Sequence, residues 1–354
     1  MSATAVLRTA VVRPSRVALP LAILWTLAAA ACNGCNPVEP GGPTGSREVW
    51  MSPNVGSLDF LDLFSRPDAW TRARSKVTTI GFTGGALLDE PCSICGPNTL
   101  HAFLTVVPGG AFRWLASRNL KIAVGAASVK AWDCSAATTA SQAIAGLENV
   151  SANGAAASFL AMDEPFTSGL PPNQNYAASM PTCGFTVAQT TTNVRSYVQR
   201  VQAAFPGVQI GLIEPYPYFS AAQIESFVAS LSDAGVKLAF FHLDYDENFL
   251  SIDPTSDFLE FRSFFQKRQI PFGIIIIGTN GTSNVTAANG ALVAALRISR
   301  TLGIRSQPHV LFESWLDYPP ASPAQDLRLY PDNLPEDGQT TMTGLVNTVL
   351  ETMP

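Results

Sequence analysis

Phe272-Gly273-Ile274-Ile275-Ile276-Ile277-Gly278 is apolar at every position, with no polar residue alternating through it. Four consecutive β-branched isoleucines favour an extended chain over a helix. A strand that is apolar on both sides must be covered on both faces, which is the situation of a parallel sheet flanked by helices. Outward from this run, seven more stretches rich in β-branched and aromatic residues recur along the chain: Val49–Asn54, Val77–Thr83, Lys121–Ala127, Ser158–Asp163, Gln209–Glu214, Lys237–Asp244 and Val310–Trp315.

Between the strands lie stretches of helical period: Asp59–Arg74, Phe103–Arg118, Ser141–Asn149, Thr191–Ala204, Ala221–Ala234, Thr255–Lys267, Thr286–Thr301 and Gly338–Thr352. Stops such as Phe205-Pro206-Gly207 and Ala234-Gly235 separate them. Strict strand–helix alternation implies parallel pairing with right-handed crossovers. Eight units predict an α/β protein built as a single (β/α)8 TIM barrel over residues 48–354. A doubly wound open sheet is the alternative, but Val49-Trp-Met-Ser-Pro-Asn-Val-Gly56 lacks the Gly-rich first turn such sheets often carry.

The 354 residues are 47% hydrophobic and 14% charged, enough to build a large core and too apolar for global disorder. With 22 basic and 27 acidic residues the net charge is −5. No basic run is available to neutralise phosphates, so nucleic acid is not an expected partner.

Residues 1–32 read as an export signal. Arg8, Arg13 and Arg16 precede the apolar segment Val17–Ala31, and small alanines lead into Cys32. An apolar run of about 15 residues is short for a membrane span, which needs roughly 20. Ala29-Ala30-Ala31-Cys32 resembles a lipobox, although Ala replaces the usual Leu. The expected localisation is therefore cell-envelope lipoprotein, attached to the membrane only through a lipid on Cys32, or simple secretion. Residues 33–47, rich in Pro, Gly and Asn, read as a flexible tether. Export makes disulfides the default for the remaining cysteines, with Cys92–Cys95 and Cys134–Cys183 as the expected pairs. The alternative, a four-thiolate zinc site, lacks knuckle spacing.

The polar residues are distributed with a direction. In a barrel, chemistry sits at the carboxyl ends of the strands. Here those ends carry Asn54, Lys130, Trp132, Asp163-Glu164, Glu214 with Tyr216, His242 with Asp244 and Tyr245, and Glu313 with Trp315, while the strand starts are plain. Sugar hydroxyls pair with carboxylates, and pyranose faces stack on aromatic rings, so the mixture suits a carbohydrate. Hydrolysis of a glycosidic bond uses two carboxyl groups, one protonated and one ionised.

The run Phe159-Leu-Ala-Met-Asp163-Glu164-Pro165 resembles the strand-4 Asn-Glu-Pro signature of retaining (β/α)8 glycoside hydrolases, and Phe312-Glu313-Ser314-Trp315 resembles their strand-8 aromatic platform. The resemblance implies Glu164 as acid/base, Asp163 in place of the sugar-binding Asn, and Trp315 as platform. It also implies a nucleophilic Glu ending strand 7, where this chain has Gly278-Thr279-Asn280-Gly281. The partner carboxylate is then expected from Glu313, Glu214 or Asp244. Asn54, Lys130, Trp132, Asp163, Tyr216, His242, Tyr245 and Trp315 are the expected substrate contacts.

No cofactor or metal is expected in this reading, and the chain is expected to act as a monomer. No Gly-X-Ser-X-Gly or His-Glu-X-X-His is present. Two other readings stay open: a non-catalytic glycan-binding barrel, and a metal-dependent hydrolase using His242, Asp244 and Asp246.

Overall fold

The structure is a computed structural model that describes residues 47–57, 59–88, 110–172, 181–246, 252–278, 283–314 and 332–354. The expected signal segment, nearly all of the tether, Cys92, Cys95 and Trp315 lie outside them.

Eight parallel strands close into a barrel in sequence order: β1 (Glu48–Ser52), β2 (Thr79–Thr83), β3 (Lys121–Ala127), β4 (Ala157–Asp163), β5 (Gln209–Tyr216), β6 (Phe241–Tyr245), β7 (Phe272–Ile276) and β8 (His309–Glu313). β8 closes onto β1, with Glu48 opposite His309 and Ser52 opposite Glu313. The helices in chain order are α1 (Asp62–Ser65), α2 (Thr71–Arg74), α3 (Ala111–Ser117), α4 (Ala136–Ala152), α5 (Pro165–Gly169), α6 (Val187–Ala204), α7 (Ala221–Asp233), α8 (Thr255–Lys267), α9 (Asn284–Leu302) and α10 (Met342–Thr352).

The sequence expectations differ from this structure at identifiable places. Asp59–Arg74 is not one helix, because Pro67 cannot donate to the preceding turn; a 3-10 turn over Pro67–Trp70 separates α1 from α2. The helix α6 starts at Val187, earlier than periodicity suggested, because Thr186 and Gln189 form a capping box. The helix α10 starts later, at Met342, where the Thr341 hydroxyl caps the Gly344 amide. The strand β6 begins at Phe241, since Phe240 turns its ring beneath Gly211. A Cβ at residue 211 would stand 2.3 Å from that ring, so only glycine fits.

Side-chain alternation along the strands divides the core in two. Trp50, Ala123, Phe159, Ala161, Phe240, Ile275, Ile277 and Leu311 fill the barrel interior. Trp50 is central, with ring centroids 4.9 Å from Phe159 and 5.2 Å from Phe240. The opposite faces pack on the helices; there Phe241, Phe261, Phe265 and Phe272 stack at 4.3–6.4 Å. Each such buried ring contributes about 2–3 kcal/mol of apolar transfer. This two-layer core holds the strand ends rigidly and so fixes the mouth.

Candidate active site

Alternation determines which strand-end acids enter the mouth. Asp163 follows the inward residues Phe159 and Ala161; Asp244 follows Phe240 and His242; Glu313 follows His309 and Leu311. These three carboxylates therefore share the inward face at the carboxyl ends of β4, β6 and β8. Glu164 joins them by a different route. It lies past the end of β4 in left-handed backbone, with φ 51° and ψ 40°. A non-glycine residue there costs about 1–3 kcal/mol, a strain that the surrounding structure must impose.

Glu214 helps to impose it. On β5 it shares the outward face of Leu212 and Tyr216 and is fully buried behind the barrel wall. Its Oε1 accepts the Phe166 amide at 2.7 Å. Its Oε2 accepts the Thr167 amide at 3.2 Å and the Thr167 hydroxyl at 3.1 Å. Glu214 thus caps α5, the short helix that begins immediately after Glu164. Burial, and to a lesser degree the Glu164 charge, push its carboxyl up to about 8, while the Phe166 and Thr167 donors pull it down.

Among the described residues, one cation serves the cluster. Lys130, with a side chain only 6% exposed, places its ammonium 2.6 Å from Glu164 Oε2 and 2.8 Å from Asp163 Oδ2. Burial alone would lower its pKa, but the two carboxylates outweigh burial and hold it above its ordinary value. The same ammonium lies 5.5 Å from the centroid of the Trp132 ring, which is 73% exposed and stands free at the rim. The Cys134–Cys183 disulfide forms as expected. Its sulfurs lie 3.6 and 3.5 Å from the Lys130 carbonyl oxygen, tying the Lys130–Trp132 turn to the segment leading into α6.

The acids differ in their electrostatics. Burial first, then the charges of Asp163 and Glu164, push Glu313 up to about 8. Asp244 is raised well above its ordinary range by burial and then by Glu313, Glu164, Asp163 and Asp246; its Oδ1 is buried and accepts no hydrogen bond from the described residues. Glu164 is also raised by burial, yet Lys130 opposes that shift and nothing comparable opposes it at Glu313.

Several expected contacts do not reach the mouth. Tyr216 faces the helix layer, where its hydroxyl donates to Asp257. Tyr245 faces that layer too, against Phe258, with the Arg297 guanidinium donating to its hydroxyl. The period-2 rule places both on the side opposite Asp244. His242 is inward but sealed below the acids, 2.9 Å from His309 and edge-on to Trp50. Asn54 is buried and builds the turn after β1, its Oδ1 accepting the Gly56 amide at 2.8 Å. Asp246 accepts the Tyr218 hydroxyl at 2.8 Å. Among the described residues, no three His, Cys, Asp or Glu side chains converge in a way that could hold a metal ion.

No family model matches the chain, and no curated protein matches it by sequence. Solved structures do. A GH53 catalytic domain from Ignisphaera aggregans superposes with a TM-score of 0.51 at 10% identity, over 88% of this chain and 92% of that one. A glucosidase from Croceicoccus marinus superposes with a TM-score of 0.50 at 16% identity, over 89% of this chain and 69% of that one. At these identities the likeness is one of fold: the chain shares the (β/α)8 barrel of these proteins.

Proposed function

We propose that the chain is a glycoside hydrolase acting on a glycan, with Glu164 and Glu313 as its working carboxyl pair. The observation that carries this reading is the convergence of Asp163, Glu164, Asp244 and Glu313 on one mouth with one buried countercharge among the described residues, Lys130. Paired carboxyls whose surroundings push their proton affinities apart are what acid/base cleavage of a glycosidic bond needs. Glu313 keeps its proton near neutrality and donates it to the departing glycosidic oxygen. The Glu164 pKa is raised too, by burial first, but the Lys130 ammonium favours its ionised form, and in this proposal Glu164 supplies the negative partner at the anomeric carbon. This reverses the role of acid that the strand-4 resemblance implies for Glu164, because an ammonium at 2.6 Å opposes proton retention. Trp132 offers the exposed ring on which a sugar face stacks. The barrels with similar folds carry names that point the same way, a GH53 catalytic domain and a glucosidase.

The test is turnover of a panel of chromogenic glycosides and polysaccharides by the intact protein, Glu164→Gln and Glu313→Gln. Each substitution is expected to lower kcat by at least a hundredfold; Glu164→Gln also lowers Tm by a few degrees, because Lys130 loses one of its two carboxylate partners, whereas Glu313→Gln raises Tm because it removes an acid held in a desolvating site. Unchanged turnover in either variant defeats the pairing. Glycan binding by calorimetry without any turnover favours the non-catalytic barrel instead, a reading supported by Gly278-Thr279-Asn280-Gly281 in place of a strand-7 acid.

A further inference from the structure

At the opposite end of the barrel, where β1, β2 and β3 begin, the described residues enclose a cleft of about 500 Å³. That volume is in the range of small-molecule sites. Its charged lining is Arg47, Arg74, Arg118 and Lys121 with one acid, Glu48. Glu48 is already engaged: Lys121 donates to its Oε1, and the Thr78 and Thr79 hydroxyls donate to its Oε2, at 2.7 and 3.1 Å. The three guanidinium groups are left without a carboxylate partner among the described residues.

Two of them are held in place by aromatic rings rather than by acids. The Arg74 guanidinium carbon lies 5.8 Å from the Trp70 ring centroid and 5.7 Å from that of Trp114, and Arg118 lies 6.0 Å from the same Trp114 ring. Stacking of this kind orients a guanidinium; Arg74 also donates through Nη1 to the Pro67 carbonyl, which leaves its other edge donors for a ligand. The third, Arg47, donates through Nη2 to the Ile304 carbonyl at 3.1 Å, but its Nε is buried with no acceptor among the described residues. Burial first, and then the charge of Arg305, lower the Arg47 pKa.

We propose that this cleft is an anion site, taking a phosphate group through the forks of Arg47, Arg74 and Arg118. A phosphate matches the planar fork of arginine and carries enough charge to offset several guanidinia. The site is separate from the acidic mouth and does not depend on the glycosidase reading. The phosphate can be free or can belong to a lipid headgroup.

The intact protein and the variant Arg47→Gln/Arg118→Gln are melted with increasing inorganic pyrophosphate at fixed ionic strength, and floated with vesicles of phosphatidylcholine containing or lacking phosphatidic acid. Arg118 is exposed and Arg47 half-buried, so the unliganded Tm is expected to fall only slightly, by the loss of the Arg47–Ile304 hydrogen bond. Pyrophosphate is expected to raise Tm saturably, by about 5 °C at a hundredfold excess over Kd, and the variant to lose that rise. Capture by phosphatidic acid vesicles that is lost in the variant, without a pyrophosphate effect, assigns the site to a lipid phosphate. The proposal is overturned if neither probe binds, if the variant responds as the parent does, or if chloride at the same ionic strength reproduces the shift.

Discussion

Replacing Lys130 with methionine keeps the stem and its packing but removes the only ammonium among the described residues that pairs with Asp163 and Glu164. At 2.6–2.8 Å and an effective dielectric constant of 20, each contact is worth about 6 kcal/mol before desolvation. Breaking a buried pair costs about 3–5 kcal/mol net. Here the Glu164 side chain is 24% exposed and that of Asp163 43%, so screening by solvent reduces the loss to about 2–3 kcal/mol. If Glu164 bears about half, its pKa rises by about one unit, at 1.36 kcal/mol per unit.

Two assays read this. In the pH profile of kcat/KM, the acidic limb, which reports ionisation of Glu164, is expected to move upward by about one pH unit or more. In urea unfolding, Lys130→Met is expected to be less stable by about 2–3 kcal/mol at pH 7, with the deficit shrinking towards pH 4. The sign follows from linkage: a carboxyl whose folded pKa is raised contributes stability below its unfolded value, near 4.3, and loses it as pH rises through the folded value. An unchanged acidic limb, a limb that moves downward, or a stability deficit constant across this range would refute the assignment of Lys130 as countercharge to Glu164.

Two further outcomes follow from the supports of the mouth. Glu214→Gln replaces one carboxyl oxygen by an NH2, which must face either the Phe166 amide or the Thr167 amide at the start of α5, so stability is expected to fall by about 1–3 kcal/mol. Because α5 sets the left-handed backbone of Glu164, kcat should fall more than KM rises; wild-type kcat would remove Glu214 from the positioning of Glu164. Cys134→Ser/Cys183→Ser opens a loop of sequence separation 49, expected to lower Tm by about 5–8 °C and raise KM by loosening the Lys130–Trp132 turn. Reduced wild-type protein with an unchanged Tm and KM would argue against that coupling.

The eight-unit barrel was legible in the sequence because its signals are local. The isoleucine run at β7 and the recurring strand–helix alternation specify buried parallel strands wherever they occur, and the closed sheet follows from their number and order. The strand-end acids were legible for the same reason, since the position of Asp163, Asp244 and Glu313 in each strand already fixes their end of the barrel. Period-2 alternation also carried the information that Glu214, Tyr216 and Tyr245 face away from the lumen, once the inward register of β5 and β6 was known. That register is set by Phe240 under Gly211 and by Trp50 in the interior, contacts between strands far apart in the chain.

What only the tertiary structure decided is who neutralises whom. Lys130 and Glu164 are 34 residues apart, Glu214 and Phe166 48 apart, and Cys134 and Cys183 49 apart. Sequence places such groups at the same end of a barrel, but charge interactions fall off over a few ångströms and depend on burial. Acid, ionised partner and cap are therefore distinguished only when the side chains are seen against one another. The arginine cleft is of the same kind: Arg47, Arg74 and Arg118 are unremarkable as separate residues and become one positive surface only through the closure of β1, β2 and β3.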